Sequence, residues 1–159
     1  MVEIARDNYI FSVDIQQTDK YYQSNSVCIC NGCQYLHSNI RGKYPELEAF
    51  LSDFGIDVSK FDETSPIELD GSYLYSFVGY TVCGKIVNSA GNDIIIHGSN
   101  DIKIRVDPGF AFPNSQEGDY FSLMVFGVSL DCETARGSRK KSFTNSFRLK
   151  MKSLFGKHT

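Results

Sequence analysis

The chain has 159 residues, the length of one ordinary domain, and 42% of them are hydrophobic, which is enough to build a core. It contains no apolar run near the roughly 18–20 residues that a membrane-spanning helix needs. Its first residues lack the basic start and apolar centre of a signal peptide. We therefore expect a soluble cytoplasmic protein, whose five cysteines are free thiols or metal ligands and not disulfides.

The net charge of −3 hides a strong asymmetry along the chain. Residues 1–135 hold all 19 acidic groups and 8 basic ones, whereas residues 136–159 hold 8 basic groups and no acid, so the two parts carry −11 and +8. Such a split is typical of a folded acidic body with a basic tail. We therefore predict a single α+β domain over residues 1–135 and a basic amphipathic tail over residues 136–159.

Turn residues divide the first half of the acidic body into short elements. Residues 9–15 alternate in the manner of a first strand, and the polar residues 21–26 are typical of a turn. Apolar side chains then recur at helical spacing over residues 33–54. Gly42 interrupts this run and Pro45 suits the first turn of a helix, so we predict two short helices in succession.

The second half of the body is rich in β-branched and aromatic residues. Residues 73–87 have the pattern of one long strand, residues 94–97 and 102–106 that of a hairpin, and residues 120–130 that of a last strand. The predicted fold is therefore α+β. It has an antiparallel sheet of about four to five strands, a helix pair inserted after the first strand, and a basic C-terminal helix or tail.

Three cysteines stand close together in Cys28-Ile29-Cys30-Asn31-Gly32-Cys33, at the start of the predicted helix pair. With His37 they supply the four thiolate and imidazole donors that a zinc ion prefers. Cys33 and His37 are one helical turn apart, so both can face one point. The candidate metal ligands are therefore Cys28, Cys30, Cys33 and His37, with zinc as the possible cofactor.

Two other interpretations of these cysteines stay open. A cysteine at a helix N-terminus has a lowered pKa, because the helix dipole favours the thiolate, so Cys30 and Cys33 could form a redox pair. The cysteines could also be small, soft residues that pack the start of the helix against the sheet. Cys83 and Cys132 lie on or beside predicted strands and are expected to be core or near-core thiols.

A longer pattern surrounds the C-x-x-C pair within residues 28–87. Its parts are Cys30-Asn31-Gly32-Cys33, then Tyr44-Pro45-Glu46-Leu47, then Phe50-Leu51-Ser52-Asp53-Phe54-Gly55-Ile56-Asp57, and then Tyr75, Gly79-Tyr80 and Gly84. This arrangement resembles a family of small, functionally uncharacterised bacterial proteins of the Firmicutes type. The resemblance implies a shared fold and a role for the C-x-x-C pair, and it implies no activity. His37 is not part of the family pattern.

No complete catalytic signature accompanies these features, since the sequence lacks a Walker loop, a nucleophile elbow, an H-E-x-x-H motif and a dinucleotide fingerprint. Abundant Tyr and Phe could line an interface, and an acidic body is steered towards a basic partner. We therefore expect a non-enzymatic cytoplasmic module that binds a protein, for example an immunity or antitoxin-type inhibitor. The alternative is a small zinc-binding or thiol-redox protein that uses Cys28, Cys30 and Cys33.

The basic tail carries apolar side chains at helical spacing among its lysines and arginines, as an amphipathic helix does. Such a helix can dock on the acidic body of its own chain, and we favour this interpretation because the opposite charge there is the nearest partner. It can also lie on an anionic membrane surface, so peripheral membrane contact through the tail is a further hypothesis. Nucleic acid is not expected as a partner, because the acidic body would repel phosphates and only the short tail would attract them.

Overall fold

The structure, a computed structural model, describes residues 1–89, 91–98, 100–112 and 117–132. It is an α+β fold with one eight-stranded, mostly antiparallel sheet and three helices. The helices are α1 (Ile15–Ser24), α2 (Asn31–Asn39) and α3 (Pro45–Asp53). The strands are β1 (Val2–Arg6), β2 (Tyr9–Val13), β3 (Glu63–Leu69), β4 (Ser72–Asn88), β5 (Ile94–Ile96), β6 (Ile102–Pro108), β7 (Tyr120–Phe126) and β8 (Ser129–Asp131). The tail predicted at residues 136–159 lies outside the described residues.

Strand β4 is the centre of the sheet, because four other strands pair with its 17 residues. Strands β3 and β2 follow one another along one edge of β4, and β8 and β7 follow one another along the other edge. From there the sheet extends through β2 to β1 on one side and through β7 to β6 and β5 on the other. None of the described helices is long and apolar enough to cross a membrane.

Side chains of helix α1 form hydrogen bonds with a part of β4 that has no strand partner on one edge. The described pairings leave residues 80–83 without a strand partner on the edge between β3 and β2. The Tyr22 hydroxyl accepts the N–H of Thr81 at 2.7 Å and donates to the carbonyl of the same residue at 3.1 Å. The Thr18 hydroxyl accepts the N–H of Cys83 at 3.1 Å. Because an unpaired buried backbone group costs about 1–3 kcal/mol, these hydroxyls hold α1 against the sheet.

The hydrophobic core is built by helices and strands together. Phe11 of β2, Phe54 at the end of α3 and Phe121 of β7 are almost fully buried, and their ring centroids lie 5.0–6.3 Å apart. Helix α2 adds the buried side chains of Cys33 and Leu36 to the same core. The helix that carries the cysteine cluster therefore packs on the core through its buried face.

The α+β class and the antiparallel sheet confirm the sequence prediction, whereas the sheet has eight strands and not four to five. The prediction missed β1, which forms a hairpin with β2, and it missed β3, a strand that contains Pro66. Gly127, with φ +96°, divides the predicted last strand into β7 and β8. The predicted helix pair corresponds to α2 and α3, but α1 precedes it and two strands precede α1.

The turn predicted at residues 21–26 is wrong for its first part, because α1 continues to Ser24. The helix begins at Ile15, and the carboxylate of the N-cap residue Asp14 accepts the N–H of Gln17 at 3.0 Å and so caps the first turn. Its buried positions are confined to Thr18, Tyr21 and Tyr22. A helix with so few apolar side chains lacks the periodicity from which helices are usually recognised.

Candidate functional site

The three cysteines predicted as metal ligands lie together at the start of α2. The sulfur atoms of Cys28, Cys30 and Cys33 all lie within 4.8 Å of one another. Two thiolates on one tetrahedral zinc ion are about 3.8 Å apart, given Zn–S bonds of about 2.3 Å, so the cluster has the size of a metal site. Within the described part of the chain, no other group of three His, Cys or acidic side chains brings its donor atoms this close.

Local structure places each cysteine differently. Cys30 is the N-cap residue of α2, and its carbonyl accepts the N–H of Gln34 at 3.0 Å. The side-chain amide of Gln34 donates to the carbonyl of Cys28 at 2.8 Å, which ties the preceding loop to the helix. Cys33, in the first turn of the helix, is buried, whereas Cys28 and Cys30 are exposed. The cluster therefore has one sulfur anchored in the core and two at the surface.

Gly32 allows the start of α2 to rest on the β3–β4 hairpin. The Tyr75 hydroxyl donates to the carbonyl of Gly32 at 2.9 Å. A Cβ atom added at Gly32 would lie only 2.5 Å from the Cβ of Pro66, so no other residue fits without movement. The rings of Tyr35 and Tyr73 pack beside this contact, with centroids 5.2 Å apart. The cysteine cluster is therefore held on the sheet.

The two cysteines of the C-x-x-C pair have opposite acidities. The pKa of the Cys30 thiol is lowered, because its thiolate accepts hydrogen bonds from the backbone N–H and the thiol of Cys33 and from the thiol of Cys28. Burial, together with the neighbouring sulfurs of Cys30 and Cys28, raises the pKa of the Cys33 thiol to about 12. The pKa of the exposed cysteine at the helix N-terminus is therefore lower than that of the buried one, which favours the thiolate at Cys30 over that at Cys33.

The cluster opens onto a cavity of about 640 Å³, which is within the usual range for small-molecule sites. The cavity walls come from the end of α1, the cysteine turn, the segment around the start of β3, and the loop after β6. The lining residues are Tyr21, Ser24, Asn25, Ser26, Cys28, Cys30, Cys33, Phe61, Asp62, Glu63, Thr64, Pro66 and Phe112. The three sulfur-bearing side chains therefore share one half-open cavity with aromatic, polar and acidic groups.

The charged groups that line the cavity are acidic. Asp62 is largely buried, and the Tyr21 hydroxyl donates to its Oδ1 at 3.0 Å. Burial raises the pKa of the Asp62 carboxyl, although hydrogen bonds from Thr81 and Tyr21 oppose the shift. Glu63 lines the same space, and the described lining contains no lysine or arginine. The cavity is therefore suited to neutral or positively charged ligands.

His37, the fourth predicted ligand, lies apart from the three cysteines. Its Nδ1 is 2.7 Å from the carbonyl oxygen of Ser59, and it does not belong to the group of close donor atoms. Cys83 is buried in β4 and Cys132 is partly exposed after β8, and neither joins the group. The structure thus brings together three of the four residues that the sequence selected.

No protein-family model matches the sequence, and neither the search of curated proteins nor that of solved structures returned a significant match. The resemblance of residues 28–87 to the Firmicutes-type family therefore stays a prediction. The candidate site is defined by its own geometry.

The outer surface of the β3–β4 hairpin is a second feature, which the sequence did not predict. Ile67 and Leu74 are directly paired and Leu69 is two residues beyond Ile67, so all three side chains share one face. They are 39–49% exposed. This apolar surface could not be predicted from the sequence, because β3 has Pro66 in its middle and therefore lacks the residue pattern of a strand.

Proposed function

We propose that the protein binds a soft divalent metal ion, zinc in the first place, through Cys28, Cys30 and Cys33. One observation carries the proposal, namely that three sulfur atoms lie within 4.8 Å of one another on a helix start that is fixed to the sheet. Thiolates select zinc over the oxygen-preferring magnesium and calcium ions. Thiols must lose their protons to bind it, and the lowered pKa of Cys30 provides the first thiolate.

The test is the zinc content of protein purified under reducing conditions without a histidine tag. We expect one zinc ion per chain by elemental analysis, and loss of the metal in Cys30→Ser and Cys33→Ser. Cys132→Ser is the matched control, since Cys132 is also accessible but lies outside the cluster. Zinc-free protein that also fails to bind added Co²⁺ through sulfur, judged by thiolate-to-metal absorption, would refute the proposal.

The opposite acidities of Cys30 and Cys33 favour a competing chemistry in the same site, thiol–disulfide exchange. The Cys30 thiolate would attack a substrate disulfide and release one thiol. Cys33 would then displace the second thiol, which leaves a Cys30–Cys33 disulfide in the protein. Incubation of metal-free protein with glutathione disulfide tests this, because the exchange removes two hydrogens from the mass of the chain. If an intramolecular disulfide forms and no metal binds, the redox function replaces the metal function.

Binding of a protein partner is the second candidate function, and the apolar outer surface of the β3–β4 hairpin favours it. Asp70 directly follows Leu69 in the exposed hairpin turn, so the surface formed by Ile67, Leu69 and Leu74 has a negative charge at its edge. This combination suits a basic partner, as an immunity or antitoxin-type inhibitor would have.

A co-purification experiment from the native host tests this candidate. We expect a basic protein to be recovered in a stoichiometric amount with the natural sequence and to be lost with Leu74→Asp. Val87→Asp is the matched control, because Val87 is exposed at the other end of the same strand. A partner retained by both variants, or no stoichiometric partner at all, would contradict binding through the hairpin.

A further inference from the structure

The cysteine cluster supplies three metal donors, whereas zinc in proteins takes four. Within the described residues, no histidine, cysteine or acidic side chain joins Cys28, Cys30 and Cys33 as a fourth. His37, the nearest candidate in sequence, directs its Nδ1 at the carbonyl of Ser59. Zinc sites with three protein ligands keep the fourth position for water or for a ligand from solution. As far as the described residues supply ligands, a metal held here would have such an open position.

The open position adjoins the cavity, because all three cysteines belong to its wall. A space of about 640 Å³ is large enough to admit a small organic molecule and not only water. Phe61 and Pro66 give the wall an apolar part, and Ser24 and Asn25 give it a polar part. The metal would therefore lie at one side of a space that can enclose the rest of a ligand.

Electrostatics restricts the class of ligand. A divalent cation with three thiolates carries a net charge of −1, so apart from the donor atom that bonds to the metal, an anionic group of the ligand is not attracted to the metal centre. Glu63 adds a carboxylate to the same cavity, and Asp62 adds a second acidic group. The described lining contains no basic side chain that could balance these acids. A ligand with an anionic group would be repelled, whereas a cationic group would be attracted.

We infer that the cavity binds a small cationic thiol, whose sulfur completes the metal site and whose ammonium group interacts with the acidic wall at Glu63 and Asp62. The inference rests on the proposed metal-binding function. In the binding step a metal–sulfur bond forms, a water molecule leaves the metal, and the thiol proton passes to solvent. No electron is transferred, so no oxidant or reductant is needed.

The test uses protein loaded with Co²⁺, whose visible absorption reports a change of ligand at the metal. Titrations with 2-aminoethanethiol and with mercaptoacetate compare two thiols of similar size and opposite charge. We expect the cationic thiol to bind on the order of tenfold more tightly, because the acidic wall attracts its ammonium group and repels the carboxylate of the other thiol. The absorption should change on saturation with a single equivalent.

Glu63→Gln separates the effect of the cavity from the intrinsic difference between the two thiols. We expect the ratio of their dissociation constants to fall severalfold in this variant. Glu68→Gln is the matched control, because Glu68 lies on the same strand, is exposed, and does not line the cavity. It should leave the ratio unchanged.

The outcomes distinguish this inference from the function on which it rests. If Co²⁺ does not bind through sulfur, the metal-binding function itself is wrong. If Co²⁺ binds with four protein ligands and neither thiol alters its absorption, the function stands and the open position is disproved. If the two thiols bind the natural sequence equally tightly, the preference for a cationic ligand is overturned. Equal ratios in the natural sequence and in Glu63→Gln would overturn the role of the acidic wall at Glu63.

Discussion

Cys33 and Cys83 are equally buried, at 4% exposure each, yet their surroundings differ. Cys33 lies against two further sulfur atoms and a cavity, whereas Cys83 lies in the middle of the sheet, and the Thr18 hydroxyl accepts its backbone N–H. Burial raises the pKa of both thiols. The difference teaches that burial alone does not distinguish the two cysteines, since within the described residues only Cys33 has neighbours that complete a group of possible metal donors.

The largest expected effect that separates the two regions is the response to metal removal. A ligand present at about a thousandfold over its dissociation constant adds about 4 kcal/mol to the free energy of unfolding. We therefore expect a strong chelator to lower the unfolding temperature of the natural sequence and of Cys83→Ser alike. Cys33→Ser should show no response to the chelator in the same thermal denaturation. An equal response in both variants would remove the distinction between the two cysteines.

The next effect belongs to the Cys83 region. Thr18→Val keeps the shape of the side chain but leaves the N–H of Cys83 without its partner, which should cost about 2 kcal/mol in chemical denaturation. Zinc content should not change, because the cysteine cluster is not involved. Thr18→Ser retains the hydroxyl and serves as the control. A smaller cost for valine than for serine would show that this hydrogen bond does not hold α1 to the sheet.

A smaller effect on stability, with an added effect on metal binding, is expected at the cysteine cluster. Gly32→Ala places a methyl group against Pro66, and this overpacking should cost about 1–2 kcal/mol. The movement that relieves it shifts the start of α2, so zinc affinity should fall in a competition assay with a chelating dye. Ser38→Ala, on the exposed side of the same helix, should change stability by less than about 0.5 kcal/mol.

The last prediction concerns reactivity and not stability. Alkylation of the metal-free protein compares the reactivities of the thiols directly. At pH 7 a lowered pKa increases the thiolate fraction, so Cys30 should react with iodoacetamide faster than an ordinary cysteine. The raised pKa values of Cys33 and Cys83 and their burial should keep both unmodified. Peptide mass spectrometry measures the order, and the unfolded chain, in which all cysteines should react similarly, is the control.

The sequence predicted elements well where local residues determine them. The helix pair within residues 33–54 was recognised because Gly42 and Pro45 mark its internal boundary. The hairpin of β5 and β6 was recognised from two isoleucine-rich runs around a turn. In contrast, β3 was missed because it contains Pro66, and proline is rare in strands. The strand is held in place by its pairing with β4.

In the candidate site, too, features set by local residues were predictable and features set by distant residues were not. The three candidate ligands were recognisable because they lie close together in sequence. The cavity could not be predicted, since Asp62 and Phe112 join it from separate parts of the chain. His37 was chosen from its spacing to Cys33, but the direction of its ring follows from its contact with Ser59. The tyrosines of the body suggested an interface, yet the Tyr22 hydroxyl bridges the N–H and the carbonyl of Thr81 inside the fold.

The length of β4 has a consequence for which parts of the molecule can open to solvent. Four strands and one helix are hydrogen-bonded to this single segment, so its amides cannot exchange with solvent unless most of the sheet separates. Motions that admit a ligand beside the cysteines can therefore occur in the surrounding loops while β4 stays intact. In hydrogen–deuterium exchange, the middle of β4 should be the last region to take up deuterium.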